Sequence, residues 1–311
     1  AAPNVLRVER DYVQNWLQGA PALPALSPAF RAAAPAPAAA PRAQALPWGI
    51  QRVNAPGAWP VTRGAGVKVA VVDTGIDFDH PDLKVAGGAN MIDPSKSFKD
   101  DNGHGTHVSG TIAGQGKDDV WGVAPDVSLY GVKVLDANGS GTFADVIAGI
   151  QWTAQNHMDV ANFSLGASQG TQALADAVKA ATDAGVTIVA AAGNSGAAVG
   201  YPGAYPQCIA VAASDSSDAV ADFSSRGPQV AVLAPGVNVY STYMGGGYQS
   251  LDGTSMATPH VTGLTALAIA ARGVHGQAAV RKALQAAATP VPNASADEQG
   301  AGIVDAAKLV R

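Results

Sequence analysis

The chain has 311 residues, of which 47% are hydrophobic and 14% charged, with 36 glycines and a formal net charge of −5 at pH 7. This composition is typical of an ordered protein with an extensive core, and it excludes a disordered chain. No run of Lys or Arg offers the positive surface that nucleic acids or anionic membranes need, and no apolar stretch is long enough to span a bilayer. We therefore expect neither nucleic acid nor membrane as a partner.

The first 42 residues differ from the rest. Residues 6–10 alternate apolar and charged side chains, as a half-buried strand does, and a strand this short must dock on another element. Residues 21–42 are almost entirely Ala and Pro, which removes backbone donors and apolar periodicity and is typical of a linker. We therefore divide the chain into a leading segment 1–20, a linker 21–42 and one large domain 43–311.

From residue 67 onward the pattern alternates between strands and helices. Apolar runs predict strands at 67–72, 128–134, 160–165 and 186–191, and helices are predicted at 143–155 and 171–184. Near-continuous apolar strands separated by helices predict an α/β fold of three layers, αβα, with a mostly parallel, doubly wound central sheet. Ligands of such sheets bind beyond the carboxyl ends of the strands, so polar residues at those ends are the candidate site.

Three segments carry residue types that work together in nucleophilic catalysis. Asp73 ends an apolar strand, His104 lies between glycines at the entry to a small-residue helix, and Ser255 starts an apolar helix with Pro259 expected in its first turn. A serine hydroxyl needs a neutral histidine to take its proton, and the resulting imidazolium needs a buried carboxylate. Asn194, just past a strand end, adds a candidate amide donor for an oxyanion. Each motif is ambiguous alone, but their combination predicts acyl transfer.

These segments, in the order Asp, His, Ser, resemble those of the subtilisin-like serine proteases, most closely the bacterial alkaline subtilisins. The resemblance covers residues 43–311 and includes PWGI at 47–50, GVAP at 122–125 and APGV at 234–237. It implies a secreted, monomeric serine endopeptidase that needs no cofactor for catalysis. By this resemblance, Asp73 orients the histidine ring, His104 is the general base and Ser255 is the nucleophile. Asn194 and the Ser255 N–H form the oxyanion hole.

The same resemblance implies how protein and peptide substrates bind. Two extended segments would clamp the substrate as an added strand, and a pocket with small walls and Ser195 at its rim would accept the side chain before the scissile bond. The clamp residues are Gly139, Ser140, Gly141, Ser164, Leu165 and Gly166, and the pocket residues are Ala192, Gly193 and Gly200. Small walls without an acid predict broad specificity with a preference for large apolar or aromatic residues.

A structural calcium ion is the metal that the resemblance implies. Gln44 and Asp82 match two side-chain ligands, and Asp118 in the loop 114–120 offers further oxygen, which suits a hard cation. That loop is shorter than in the family and differs in sequence, so a solvated acidic loop is the alternative. We expect calcium here as a structural ion.

Residues 3–12 resemble the last strand of the family's inhibitory propeptide, which makes the chain's own propeptide a partner and a zymogen stage an expectation. Cleavage between residues 42 and 43 would then release the mature enzyme. Residues 1–42 are a propeptide remnant, an engineered leader or an unusual extension, and the sequence leaves this open. A latent form that acts mainly by binding is the alternative function. An esterase of the α/β-hydrolase type is excluded, because Ser255 comes last and lacks the motif Gly-x-Ser-x-Gly.

Overall fold

The computed structural model describes residues 9–17, 46–117 and 120–311. In chain order the strands of these ranges are β1 (Val13–Asn15), β2 (Lys68–Asp73), β3 (Val85–Asn90), β4 (Ser128–Lys133), β5 (Ser140–Thr142), β6 (Val160–Phe163), β7 (Thr187–Ala191), β8 (Cys208–Ser214), β9 (Val230–Pro235), β10 (Val239–Tyr243), β11 (Gly247–Leu251), β12 (Ala288–Thr289) and β13 (Ile303–Val304). The helices are α1 (Trp48–Arg52), α2 (Ala55–Ala58), α3 (His104–Ala113), α4 (Phe143–Gln155), α5 (Gln172–Asp183), α6 (Thr254–Arg272), α7 (Gln277–Ala287), α8 (Ala296–Gln299) and α9 (Ala306–Leu309).

Within the described ranges, a nine-stranded sheet has the order β12-β13-β9-β8-β7-β6-β2-β4-β3. Every neighbouring pair is parallel except β12 and β13 at one edge. From β2 the chain builds outward in both directions, to β4 and β3 on one side and to β6 through β9 on the other. The predicted doubly wound, mostly parallel sheet is therefore confirmed.

Both faces of the sheet are covered by helices. Along β2, Val69 and Val71 belong to one apolar cluster and Ala70 and Val72 to the other, because side chains alternate across a strand. Helices α3, α6 and α7 pack on the first face, and α4 and α5 pack on the second. Since both faces are buried, the strands read as continuous apolar runs, and the three-layer αβα class is confirmed.

Local signals explain the helix bounds. Thr142 and Asp145 form a capping box at the start of α4, and the Thr171 hydroxyl accepts the N–H of Leu174 at the start of α5. The helix predicted at 143–155 is confirmed, and that at 171–184 includes its two cap residues. The placement of Pro259 is wrong: α6 begins at Thr254, so Pro259 lies in its second turn.

The leading segment contributes a strand, although not where the sequence predicts it. Residues 9 and 10 are not in a strand, and residues 6–8 lie outside the described residues. The strand is β1, which pairs antiparallel with β5. The Ala/Pro-rich linker 21–42, the domain boundaries at 20 and 42, and the cleavage point at 42–43 also lie outside the described residues and stay predictions.

Candidate active site

Asp73 and His104 meet at the carboxyl end of β2. Asp73 is the last residue of the strand and fully buried, and its Oδ1 lies 2.8 Å from Nδ1 of His104. His104 is the first residue of α3, after Gly103 with φ of 107°, a backbone conformation that favours glycine. The carboxylate thus selects the tautomer with the proton on Nδ1, which leaves Nε2 as the basic nitrogen. That Nε2 is buried without a hydrogen-bond partner among the described residues.

A second carboxylate, Asp100, ties the parts of this pair together. Its Oδ1 accepts the Thr74 hydroxyl at 2.9 Å and the N–H of Gly103 at 2.9 Å, and its Oδ2 accepts the Thr106 hydroxyl at 2.6 Å. Asp100 therefore links Thr74, which follows Asp73, to Gly103 and Thr106, which precede and follow His104 in the chain. Burial opposes the charging of His104, but the charge of Asp73, with a further contribution from Asp100, outweighs it and raises the pKa of His104 above 6.5.

Ser255 lies in the first turn of α6, where the backbone N–H groups are not used by the helix. Its hydroxyl donates to the carbonyl of Ser164 at 3.0 Å. No hydrogen bond joins it to His104 within the described residues, because Nε2 has no partner there. A rotation of the Ser255 side chain away from Ser164 would free its hydroxyl for that nitrogen.

Pro259 leaves one carbonyl of α6 without a helical hydrogen-bond donor, and Ser164 supplies a donor in its place. A proline has no N–H, so the carbonyl of Ser255, four residues earlier, loses its helical partner. The Ser164 hydroxyl donates to this carbonyl at 2.7 Å. Behind it, Asn162 donates to the Ser164 oxygen at 2.9 Å and accepts from the Thr262 hydroxyl at 2.7 Å. The backbone of Ser255 is therefore fixed from β6 by a side chain that the sequence assigned only to the clamp.

Asn194 lies beyond the end of β7 with a fixed amide orientation. Its Oδ1 accepts both the N–H and the hydroxyl of Thr254, each at 2.8 Å. Its Nδ2, the donor of the amide, is therefore not used by Thr254. The side chain lines the same cavity as Ser255. This arrangement brings an amide donor to the start of α6, as the sequence predicts.

The two clamp segments hold part of the leading segment between them. The Trp16 N–H donates to the carbonyl of Gly139 at 3.0 Å, and the Gly166 N–H donates to the carbonyl of Trp16 at 2.9 Å. The indole N–H of Trp16 reaches the carbonyl of Gly141 at 3.0 Å, and its ring lies 4.8 Å from that of Phe143. With β1 paired to β5, this segment is an added strand in the cleft.

A cavity of about 480 Å³ continues from this strand towards Ser255. Gly193, Ser195 and Gly200 line it, together with Leu165 and Gly166. The side chain of Ala192 is instead buried in the core, and its carbonyl accepts the N–H of Gly200 at 2.9 Å. The wall formed by Gly193, Ser195 and Gly200 is therefore small, and none of the described residues that line the cavity is charged.

The other two histidines of these motifs are structural. His107 shares one ring nitrogen with the carbonyls of Val239 and Gln249, and His260 contacts the carbonyl of Met256 at 2.9 Å. Each second nitrogen is buried without a partner among the described residues. Burial, with the nearby charge of His104 for His107, lowers the pKa of His107 to about 3, and burial lowers that of His260 to about 4. Both rings are neutral at neutral pH.

The proposed calcium ligands can be tested only at Asp82, because Gln44 and Asp118 lie outside the described residues. Both oxygens of its carboxylate accept hydrogen bonds, from the N–H groups of Lys117 and Val120 and from the hydroxyl of Tyr248. Among the described residues, no three His, Cys, Asp or Glu side chains form a group suited to a metal ion. The described surroundings of Asp82 thus place hydrogen-bond donors against its carboxylate, whereas calcium requires oxygen ligands, so this part of the predicted site does not fit the ion.

A histidine–carboxylate pair, a serine at a helix N-terminus and an amide donor, all at the carboxyl edge of a parallel sheet, define the class of serine hydrolases. Residues 64–302 match the subtilase family, and the chain belongs to that family. It is 47% identical to subtilisin Savinase of Lederbergia lenta over 272 residues, which are 86% of this chain and 100% of Savinase. It is also 47% identical to subtilisin DY of Bacillus licheniformis over 258 residues (79% and 93%) and to subtilisin E of Bacillus subtilis over 260 residues (81% and 68%).

The chain is thus a serine endopeptidase of the subtilisin type, and its substrates are proteins or peptides. The part of the chain that the structure describes contains no helix with the length and apolar character needed to cross a membrane. Sequence reasoning predicted Asp73, His104, Ser255 and Asn194 as site residues, but it missed the contacts of Asp100 and of the Ser164 hydroxyl with them. A signal for Ser164 was present, since a proline inside a helix always leaves one carbonyl to be satisfied.

Proposed function

We propose that the chain hydrolyses peptide bonds through an acyl-enzyme on Ser255, with His104 as general base and Asp73 as the orienting carboxylate. The observation that carries this proposal is the buried pair of Asp73 and His104, which leaves Nε2 basic and unpartnered among the described residues. In the reaction, the Ser255 hydroxyl turns from the Ser164 carbonyl and gives its proton to Nε2 as Oγ attacks the substrate carbonyl.

The negative charge that forms on the substrate oxygen needs donors that are already in position. The Ser255 N–H, at the positive end of α6, and Nδ2 of Asn194 supply them in this proposal. The imidazolium then gives its proton to the leaving amine, which departs. Water, deprotonated by the same Nε2, hydrolyses the ester and restores the Ser255 hydroxyl.

Specificity follows from the clamp and the cavity. Main-chain pairing to Gly139, Gly141 and Gly166 accepts almost any sequence, so the choice falls to side-chain pockets. Because the cavity has small, uncharged walls, a large apolar or aromatic side chain before the scissile bond is favoured.

Residues 13–17 of the chain itself occupy the substrate cleft before the enzyme becomes active. They use the backbone groups of the clamp that a substrate strand would need, so substrate binding requires their departure. This supports a zymogen stage in which the chain's own propeptide masks the site. A form that acts mainly by binding is not favoured, because the chain belongs to a protease family. Secretion and a monomeric state rest on the resemblance to the bacterial alkaline subtilisins.

The test combines a covalent label with activity. A phosphonylating inhibitor should form one adduct, on the peptide that contains Ser255, and should abolish hydrolysis of a chromogenic peptide ending in Phe. Ser255→Ala should lose both the adduct and the hydrolysis, whereas Ser95→Ala, which changes an exposed loop serine, should keep both. Full activity in Ser255→Ala, or an adduct on another residue, would overturn the assignment.

A further inference from the structure

The described residues of the loop 114–122, which are 114–117 and 120–122, lie around Asp82. The Asp82 side chain is fully buried, and its backbone carbonyl accepts the N–H of Gln115 at 2.9 Å. Its Oδ1 accepts the N–H of Lys117 at 2.5 Å, and its Oδ2 accepts the N–H of Val120 at 3.1 Å. One aspartate thus binds three backbone amides of the loop, one through its backbone carbonyl and two through its carboxylate, so two amide dipoles face its negative charge.

We propose that this carboxylate replaces calcium as the centre of the loop, and that the enzyme keeps the loop folded without the ion. A calcium site needs six to eight oxygen ligands that point at one centre, and each ligand must be an acceptor. Here N–H and O–H groups donate to both carboxylate oxygens, so the described contacts of this carboxylate are with hydrogen-bond donors and not with further oxygen ligands. Direct hydrogen bonds to an ionised carboxylate are strong, so they can compensate for the missing ion.

Two carbonyl groups of the loop, those of Gly114 and Val120, accept hydrogen bonds within the loop itself. The N–H of Gly116 donates to the carbonyl of Val120, and that of Gly122 donates to the carbonyl of Gly114, both at 2.9 Å. Gly116 adopts φ of 62°, which lets the chain reverse between these bonds. Backbone pairs thus join the two described sides of the loop, and these two carbonyls are not presented to a common centre.

Side chains fasten the base of the loop as well. The Gln115 amide donates to the carbonyls of Ala113 and Pro125, at 2.9 and 2.5 Å. The Trp121 ring lies 5.6 Å from that of Trp59, and the Arg63 guanidinium lies 4.8 Å from the Trp121 ring. Both ends of the loop are anchored by contacts that do not involve a metal.

Tyr248 connects the same aspartate to the hairpin of β10 and β11. Its hydroxyl donates to Oδ2 of Asp82 at 2.8 Å, and the edge of the His80 ring lies against its own ring. Nδ1 of His80 accepts the Asp82 N–H at 3.1 Å, so Nε2 carries the proton that is donated to the carbonyl of Gly247. A donor from outside the loop thus completes the surroundings of the carboxylate, which strengthens the case for a metal-free centre.

The decisive measurement is the melting temperature of the full chain in millimolar calcium and in excess EDTA. The variant Ser255→Ala serves as the parent, since it cannot digest itself and stability is then read independently of the proposed catalytic roles. We expect the two temperatures to agree within about 2 °C, whereas a site filled at about a hundred times its Kd would raise Tm by about 5–10 °C. A calcium-dependent rise that Asp82→Asn abolishes would overturn the proposal. A rise that persists in Asp82→Asn comes from another part of the chain and leaves the proposal standing.

Tyr248→Phe provides a milder variant in case Asp82→Asn does not fold. It removes one donor to the carboxylate and should lower Tm by about 2–6 °C, equally in calcium and in EDTA. The matched control is Tyr205→Phe, which removes a hydroxyl donor to the neutral carbonyl of Thr171 at 2.7 Å and should cost about half as much. A loss in Tyr248→Phe that appears only in EDTA would mean that calcium stabilises Asp82, and would contradict the proposal.

Discussion

At the scale of single residues, the position of Ser255, the proposed nucleophile, depends on the hydroxyl of Ser164, which takes no part in the proposed reaction. Pro259 has no N–H to donate to the carbonyl of Ser255. The hydroxyl of Ser164, which directly follows β6, donates to this carbonyl of α6 instead. A buried carbonyl without a donor is costly, so the exchange stabilises the first turn of α6 in the position where Ser255 and its N–H face the cleft. Ser164 is therefore a positioning residue for the reaction.

We predict that Ser164→Ala lowers kcat by about tenfold while KM changes little, because it leaves the Ser255 carbonyl unpartnered and the nucleophile less well fixed. Ser164→Thr, which keeps the hydroxyl, should recover most of the loss. The measurement is steady-state hydrolysis of the Phe peptide by the matured enzyme. If Ser164→Ala raised KM and left kcat unchanged, Ser164 would act only through the clamp.

The acidity of His104 makes a second prediction at this scale. Burial opposes its protonation, but Asp73 and Asp100 raise its pKa above 6.5, and only the neutral ring can take the proton of Ser255. Activity should therefore fall as the pH drops through a midpoint above 6.5. Asp100→Asn removes one of the two negative charges, lowers the pKa of His104 and extends activity to lower pH. The acidic limb of the profile of kcat/KM against pH measures this shift in the pKa of His104 directly.

Asp101→Asn is the control for that shift. Asp101 is 53% exposed and pairs with Lys133 at 2.6 Å, so solvent screens its charge more strongly than that of buried Asp100. The midpoint should move less in this variant. Equal shifts in the two variants, or a wild-type midpoint below 6.5, would show that Asp100 does not act on His104 as described.

At the scale of elements, the sequence was most informative where one local rule decides the structure. Helices α4 and α5 and the valine-rich strand β2 lie where the periodicity predicts them, to within one residue at each end. Contacts between distant elements were not predictable in this way. The hydroxyl of Ser164 satisfies a residue 91 positions away, and the loop around Asp82 is completed by Tyr248 from 166 positions away. Such contacts depend on the packed sheet, which no local pattern encodes.

The start of α6 illustrates the same limit. Pro259 was expected in the first turn, because a proline further inside a helix leaves one carbonyl without its partner. The structure tolerates it in the second turn since a side chain from another element repairs that defect. A rule of local geometry thus failed at Ser255, the proposed nucleophile, where a compensating tertiary contact was available.

Trp16 anchors β1 in the cleft, and its removal is the prediction for this element. The ring is 1% exposed, packs on Phe143 and donates to Gly141. Truncation of a buried Trp typically costs about 3–5 kcal/mol, so Trp16→Ala should shift the docking of the segment by about a hundredfold or more towards release. We expect peptide hydrolysis to begin sooner after purification, with N-terminal sequencing used to follow cleavage of the leading segment.

The control lies on the same strand. Val13 is 72% exposed, so Val13→Ala removes almost no buried surface and should leave the delay before activity unchanged. The comparison separates the anchoring contact from a general effect on the strand. Equal delays in Trp16→Ala and in the wild type would mean that β1 does not limit access to the cleft.

At the scale of the whole molecule, three of the buried histidines change the stability of the fold with pH in opposite directions. His104 has a raised pKa in the folded state, so its contribution to stability is present below pH 6.5 and is lost as the pH rises through the folded pKa. His107 and His260 have lowered pKa values of about 3 and about 4, so the unfolded chain binds their protons first as the pH falls below 6.5. Acid therefore favours unfolding through the two structural histidines.

We predict that the free energy of unfolding falls between pH 6 and pH 4.5 with a slope of roughly 1.4 kcal/mol per pH unit for each of these two histidines. His104 adds no slope there, because its proton is bound in both states below 6.5. Urea unfolding of Ser255→Ala at a series of pH values measures the slope without self-digestion. His157→Gln, which changes an exposed histidine, should leave the slope unchanged. A free energy that stays constant down to pH 4.5 would mean that His107 and His260 accept their second protons inside the folded protein, against the buried and unpartnered nitrogens that hold their pKa values down.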